Sequence, residues 1–539
     1  MVPCINRKKV MQGLVVAMLC LLVYWPSLKN GYIWDDDQYV YNNPAVTRPG
    51  GLKDIWLTHD MPQYYPLVFT SFRLEHMIWG ANPAGYHAVN LALHTANALL
   101  VLAVFSALAP GIAFATALLF AVHPVQVETV AWITERKNLL ALFFLLMATL
   151  WYLRFYRTGS IGRYIGTLLF YLCALLSKSA AAWFAVVPLV FAWWKTGRAT
   201  QRDLLTAAPL LITGAAAGLH TAWLEATRVG AAGELWHMGL VEHLLLAARI
   251  FVFYLYKVLA PFEFIFFYPR WTIDATVWWQ WIFPVLVAGM VAGSIAFRKQ
   301  TRRAGPGLMI LYGAALFPVM RFFNVYPMRF SFVADHFAYL ATPVIFAAVV
   351  AGVCLAGGAI NACFFAETRS AGIFQWAGRT AAVAVIVLLS LKSMGLVDNY
   401  RNEITLWKSV TAKNPAAYAA WNNLGSAYGK IGRHHAALPC FEQAMTLRPD
   451  LARHAVNLGN ALLNVGDAGR ALPVLQQAVT LAPDNGEAHH LAAIACFNLG
   501  LFDCARTHCQ KALDLGTPVK PELIKRLAGI AGSRNGCRQ

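Results

Sequence analysis

Charge is what this sequence has least of. Only 13% of its 539 residues are Asp, Glu, Lys or Arg, whereas 58% are apolar; a soluble protein carries roughly 25% charged residues. Acidic residues are the scarcer kind, 26 against 44 basic ones, for a net charge of +18. This composition excludes an ordinary soluble chain. It does not point to nucleic acid either, because the basic residues sit in short clusters between apolar runs: Arg154, Arg157 and Arg163; Lys195, Arg198 and Arg202; Arg298, Lys299, Arg302 and Arg303. Clusters of that kind mark the short cytoplasmic loops of a polytopic membrane protein. Paired cysteine spacing is missing as well. The ten cysteines are scattered without a CxxC, which indicates neither a zinc site nor a disulfide framework. Nor does a small-residue cleavage site follow the first apolar stretch, which runs on into YWPSLKNGYIW behind Arg7, Lys8 and Lys9. A retained first span with a cytoplasmic N-terminus is expected.

A bilayer core about 30 Å thick needs roughly 20 apolar residues per helix. That criterion places spans near 10–27, 86–107, 109–123, 138–155, 164–178, 180–195, 204–223, 281–297, 306–321, 339–357 and 379–396, eleven in all. The run 243–260 carries Arg249 and Lys257 and reads as a re-entrant or interfacial helix, because counting it as a span would put two basic clusters on opposite faces. The odd count places everything after residue 397 outside.

There the composition turns soluble and repeats at a period of 34: Gly432, Gly466 and Gly500; Ala437, Ala471 and Ala505; Leu447, Leu481 and Leu515. The first unit has the full tetratricopeptide pattern, with Trp421, Leu424, Gly425, Tyr428, Ala437, Phe441, Ala444 and Pro449 in place. The fold expected is therefore all-α. A polytopic membrane bundle (1–397) is followed by a connecting helix and partial repeat (398–417), a tetratricopeptide α-solenoid (418–517) and a tail (518–539). Repeat arrays offer concave binding surfaces rather than catalysis, so chemistry belongs to the membrane part.

Three polar segments fall on its outer face. GYIWDDDQYV brings Asp35, Asp36 and Asp37 to the start of the first outer loop; neighbouring carboxylates raise one another's pKa, which suits a general base, although they could equally serve only to solvate the loop. The next outer turn has His123, Glu128, Glu135, Arg136 and Lys137, polar groups that are costly there unless they pair or line a cavity. The third has Arg329, Asp335, His336 and Tyr339. His87, Asn90 and His94 share one helix face and would suit a divalent metal, but buried histidines bonded to neighbouring spans are the commoner outcome, and no metal site is assigned. Trp278, Trp279 and Trp281 read as an interfacial belt, and His434, His435, His489 and His490 as solvent-facing.

GYIWDDDQYVYNNP, HPVQVETVAWITERKNLLALFFLL, LSKS, ADHFAYLATP and the terminal repeats, in this order, resemble the bacterial relatives of the transmembrane and tetratricopeptide repeat-containing O-mannosyltransferases, of the GT-C superfamily, which implies a bacterial inner membrane. The resemblance implies a sugar taken from a polyprenyl-phosphate donor and joined with inversion to a hydroxyl of a protein or glycan at the outer face. The donor is a lipid-linked substrate and no cofactor is implied; the acceptor could be held by the repeats. By the same resemblance Asp35 is the catalytic base, with Asp36 next, and Arg136, Lys178 and Arg329 hold the donor phosphate. Glu128, His123, Asp335 and His336 are further site candidates. Ser179 and His336 stand where the family often has a glutamate and an arginine. Two other classes remain: a membrane-anchored scaffold for envelope assembly, which would not need eleven spans with outward carboxylates, and a lipid-linked sugar flippase, for which ionisable groups in mid-span are expected.

Overall fold

A computed structural model describes residues 7–58, 61–230, 237–364 and 370–536, which are helical with no strand among them. The chain divides into two compact units, Met1–Asn402 and Glu403–Gln539.

In the first unit six helical segments are each long and apolar enough to cross a bilayer: Arg7–Lys29, Pro83–Leu108, Ile133–Thr158, Gln201–Arg228, Trp278–Ala296 and Trp376–Tyr400. Pro110–Val122 and Pro124–Ala131 pass that test only together, across a 54° bend. The remaining expected spans fall on shorter helices, Ile161–Ser177, Ala304–Val319 and Thr342–Gly358. Residues 180–195 are a 3-10 stretch, Ser179–Val186, followed by the ten-residue helix Val187–Thr196. Among the described residues, then, six or seven segments meet the spanning criterion rather than eleven. Hydropathy does not register where a helix breaks, and here prolines do the breaking: Pro110 and Pro124 begin new segments because their rings cannot continue a helix already formed. The 243–260 run forms the helix Leu240–Leu259, outside the spanning set. Its Arg249 lies 4.2 Å from the Trp271 ring, and its buried Lys257 donates to the Glu263 carbonyl. Trp278, Trp279 and Trp281 are exposed.

The second unit is built of helix pairs, Tyr418–Lys430 with His434–Leu447, Ala452–Asn464 with Ala468–Leu481, and Gly486–Asn498 with Phe502–Asp514. Glu403–Lys413 precedes them and Pro521–Gly536 follows, residues 537–539 of the expected tail lying outside the described residues. The repeated glycine is explained by backbone geometry: Gly432, Gly466 and Gly500 sit at φ of 74°, 84° and 74°, left-handed values that a side chain disfavours. Two expectations are corrected here. Cys496 and Cys504, on facing helices of the last pair, form a disulfide with Cα atoms 5.9 Å apart, a pairing invisible in sequence because it is set by the turn between two helices. His489 is buried, with Nδ1 2.9 Å from Nδ1 of His508.

Candidate active site

The site is assembled where helices are interrupted. Irregular backbone at membrane depth survives only where protein buries it or a cavity needs it, and the three polar segments all lie on such backbone. The first of them starts with Gly31 N–H bonded to the Arg401 carbonyl at 2.9 Å. Trp34 then takes φ of 48°, a left-handed conformation rare for a bulky residue and often found where a functional side chain is being aimed. Its successors Asp35 and Asp36 point to different fates.

Asp36 is fully buried and fully used. One carboxylate oxygen accepts from Ile33 N–H at 2.9 Å, the other from the Thr134 N–H at 3.0 Å and from the Thr134 hydroxyl. It ties the first polar segment to the second. Asp35 is half-buried, and its backbone carbonyl accepts from Tyr39 N–H at 3.1 Å. Burial pushes the Asp35 carboxyl up to about 6, with the Lys137 charge opposing that rise and Asp37 adding to it. Asp36 is pushed up to about 7, again by burial, against its hydrogen bonds from Thr134 and Ile33.

The second segment turns at His123–Pro124, passes through Val127–Ala131 and the 3-10 turn Ile133–Glu135, and enters the helix that begins at Arg136. Glu128 and Glu135 are buried and meet the third segment there. Glu128 accepts from Asp335 N–H at 3.1 Å and lies 2.7 Å from Nδ1 of His336, while Nε2 of His336 is 3.7 Å from Glu135. Burial pushes His336 down to about 3 despite the Glu135 charge, so the ring is neutral at neutral pH. Asp335 accepts from the Tyr268 hydroxyl at 2.8 Å. Glu135 also pairs with Lys137 at 2.9 Å and accepts from the Asn138 amide, whose oxygen in turn accepts from Lys178 at 2.8 Å.

The residues expected from sequence thus separate. Asp35, Asp36, Glu128, Lys178, Asp335 and His336 come together around this network. His123 does not: its Nδ1 accepts from Val125 N–H and its Nε2 meets the Val258 carbonyl, so it caps a turn. Arg329 is half-buried at the turn Tyr326–Arg329 and, among the described residues, makes no hydrogen bond or ion pair to the network.

Arg136 is turned away. It forms a two-toothed pair with Glu75 and donates further to Asn90, to Ser71 at 3.2 Å and to the Tyr86 carbonyl at 2.9 Å, so all five of its N–H groups are engaged. Its neighbour Lys137 faces the carboxylates instead, because successive residues on a helix point about 100° apart. Sequence reasoning missed Asn138, Thr134, Tyr268 and Glu75. Only Glu75 left a signal, a lone carboxylate inside an apolar helix.

Asn90 and His94 meet neighbouring segments, Asn90 at the Trp132 carbonyl (3.1 Å) and His94 at the Tyr339 hydroxyl (3.0 Å). Among the described residues no group of three His, Cys, Asp or Glu is placed to hold a metal.

Residues 418–451 and 456–518 match tetratricopeptide-repeat family profiles. Mouse protein O-mannosyl-transferase TMTC1 is 38% identical over 161 residues, which are 26% of this chain and 17% of the mouse protein. Human TMTC4 is 30% identical over 174 residues, 27% of this chain and 23% of its own. The nematode Caenorhabditis elegans protein O-mannosyl-transferase F38B6.6 is 24% identical over 458 residues, 81% of this chain and 62% of its own. A match over 81% of the chain cannot come from the repeats alone. The chain is similar to the TMTC protein O-mannosyl-transferases. The matched stretches span less than two thirds of each of these TMTC relatives. A solved structure of MamA aligns with 25% of the chain at 25% identity and a TM-score of 0.20, too low to carry a fold argument.

Proposed function

We infer that this protein is a membrane glycosyltransferase that moves a sugar, mannose by analogy with the names of its relatives, from a polyprenyl-phosphate donor to an acceptor hydroxyl at the outer face, inverting the anomeric centre. The observation that carries the reading is the division of labour within one acidic run: Asp36 is consumed in pinning two loops, which leaves Asp35 half-buried with its carboxyl raised toward neutrality and the Lys137 charge acting on it. A carboxylate so placed can take a proton from a hydroxyl attacking the anomeric carbon, while ammonium groups oppose the negative charge that develops on the departing phosphate. Asp36, Glu128 and His336 position the base and the lysines. The repeats present the acceptor protein.

The test is transfer of labelled mannose from polyprenyl-phosphate mannose to serine- and threonine-containing peptides, in reconstituted vesicles, as a function of pH. Asp35 works only as the anion and is raised to about 6, so the rate should fall as pH drops through about 6 and level off above it. A rate that is flat from pH 5 to 8 contradicts the assignment of Asp35 as base.

The disulfide supports an outer location for the repeats, since such bonds persist in oxidising compartments and are rare in the cytosol. Thiol trapping in intact cells should find Cys496 and Cys504 oxidised. Finding both reduced and alkylated only after the membrane is permeabilised would place the repeats on the inner face, away from Asp35.

A further inference from the structure

Sequence resemblance assigns the donor phosphate to Arg136, yet that guanidinium has no free donor, and its partner Glu75 already neutralises it. The next residue is free of that trap. The Lys137 side chain is 11% exposed and pairs with Glu135 at 2.9 Å, and its ammonium lies 5.4 Å from the Tyr39 ring and 5.6 Å from the Trp132 ring. Tyr39 belongs to the turn that starts at Asp35, its N–H bonding to the Asp35 carbonyl. Lys137 is therefore held between the aspartate turn on one side and Glu135 on the other. Through Glu135 and Asn138 it shares a polar bridge with Lys178. One carboxylate thus serves two ammonium groups, and the remaining positive charge faces Asp35, whose ionised form Lys137 favours.

Resting on the transferase reading, we propose that Lys137, rather than Arg136, is the cation that receives the departing phosphate, and that it exchanges Asp35 for that phosphate during the reaction. The charges balance. The acceptor oxygen forms a bond to the anomeric carbon as its proton passes to Asp35. The bond from that carbon to the phosphate oxygen breaks, its electron pair staying on the phosphate, which changes from a monoanionic diester to a dianionic monoester. Asp35 loses one negative charge as the phosphate gains one. Lys137 keeps an anionic partner throughout, so no ammonium is left uncompensated in a site from which water is largely excluded.

The experiment compares Lys137→Met, Lys137→Arg and wild type in the vesicle assay, with thermal unfolding as the control for folding. Lys137→Met should lower kcat about 100-fold or more and move the acidic limb of the pH profile up by about one unit, because the charge that opposed the burial of Asp35 is gone. Lys137→Arg should restore most of the rate and return the limb. If Lys137→Met is not recovered folded, Lys137→Gln carries the same expectations. A wild-type rate in the uncharged variant overturns the assignment, as does a reduced rate with an unmoved limb, which would mark a merely structural lysine. Absence of transfer by wild type itself would instead remove the transferase reading on which the proposal rests.

Discussion

Asp35→Asn should insert and fold normally but transfer sugar about 100-fold to 10,000-fold more slowly, the range a positioned general base supplies. The substitution keeps the size of the side chain and removes only its capacity to accept the proton. Folding should be spared because the Asp35 side chain is half-buried rather than fully buried and makes none of the inter-loop hydrogen bonds that Asp36 makes. Two neighbours serve as controls of different kinds. Asp37 bonds only locally, to the Gln38 N–H at 2.7 Å, so Asp37→Asn should change the rate little. Asp36→Asn turns one accepting oxygen into a donor facing N–H groups that still need an acceptor, so it should loosen the 33–36 turn against Thr134 and lower both stability and rate. The measurement is single-turnover transfer normalised to folded protein. Equal rates for Asp35→Asn and wild type would leave the carboxylates as loop solvation, and the scaffold class would then lead.

What sequence made legible here follows from how local each signal is. The repeats could be read residue by residue, because a 34-residue period records the same helix–helix contact three times over: Gly425 and Gly459 leave room for Phe441 and Leu475, and a Cβ at either glycine would come within 2.8 or 2.4 Å of them. The three polar segments could be identified as interruptions of apolar runs. Their meeting could not be derived from spacing, since Asp36 and Thr134, or Glu128 and His336, are far apart in sequence and are joined only by the fold. The direction of adjacent side chains was also hidden. Arg136 and Lys137 are consecutive cations in one turn, and only the helix phase established at Arg136 sends the first toward Glu75 and the second toward Glu135. The expected spans differ from the helices for a third reason: composition averages over a window, while a single proline or a 3-10 turn ends a helix within one residue.

That helix phase has a measurable consequence. Arg136→Met should destabilise the membrane unit by about 3–5 kcal/mol, the cost of leaving a buried ionic partner alone, and do so without regard to donor or pH optimum. Arg136 is fully buried, and the groups it would abandon include both oxygens of buried Glu75, the Asn90 amide oxygen and the Tyr86 carbonyl. Glu75→Gln should be destabilising too, but less, because the amide still accepts one hydrogen bond from the guanidinium. The double variant Arg136→Met with Glu75→Leu should recover part of the loss, since removing both charges also removes the desolvation that each imposes. Thermal unfolding in detergent, read beside the transfer rate per folded molecule, separates this role from a catalytic one. A structural Arg136 lowers the melting temperature and leaves the rate of the surviving folded fraction near wild type. Should Arg136→Met instead melt like wild type and transfer sugar 100-fold more slowly, Arg136 would be acting on the phosphate after all, and its pairing with Glu75 would have to open during turnover.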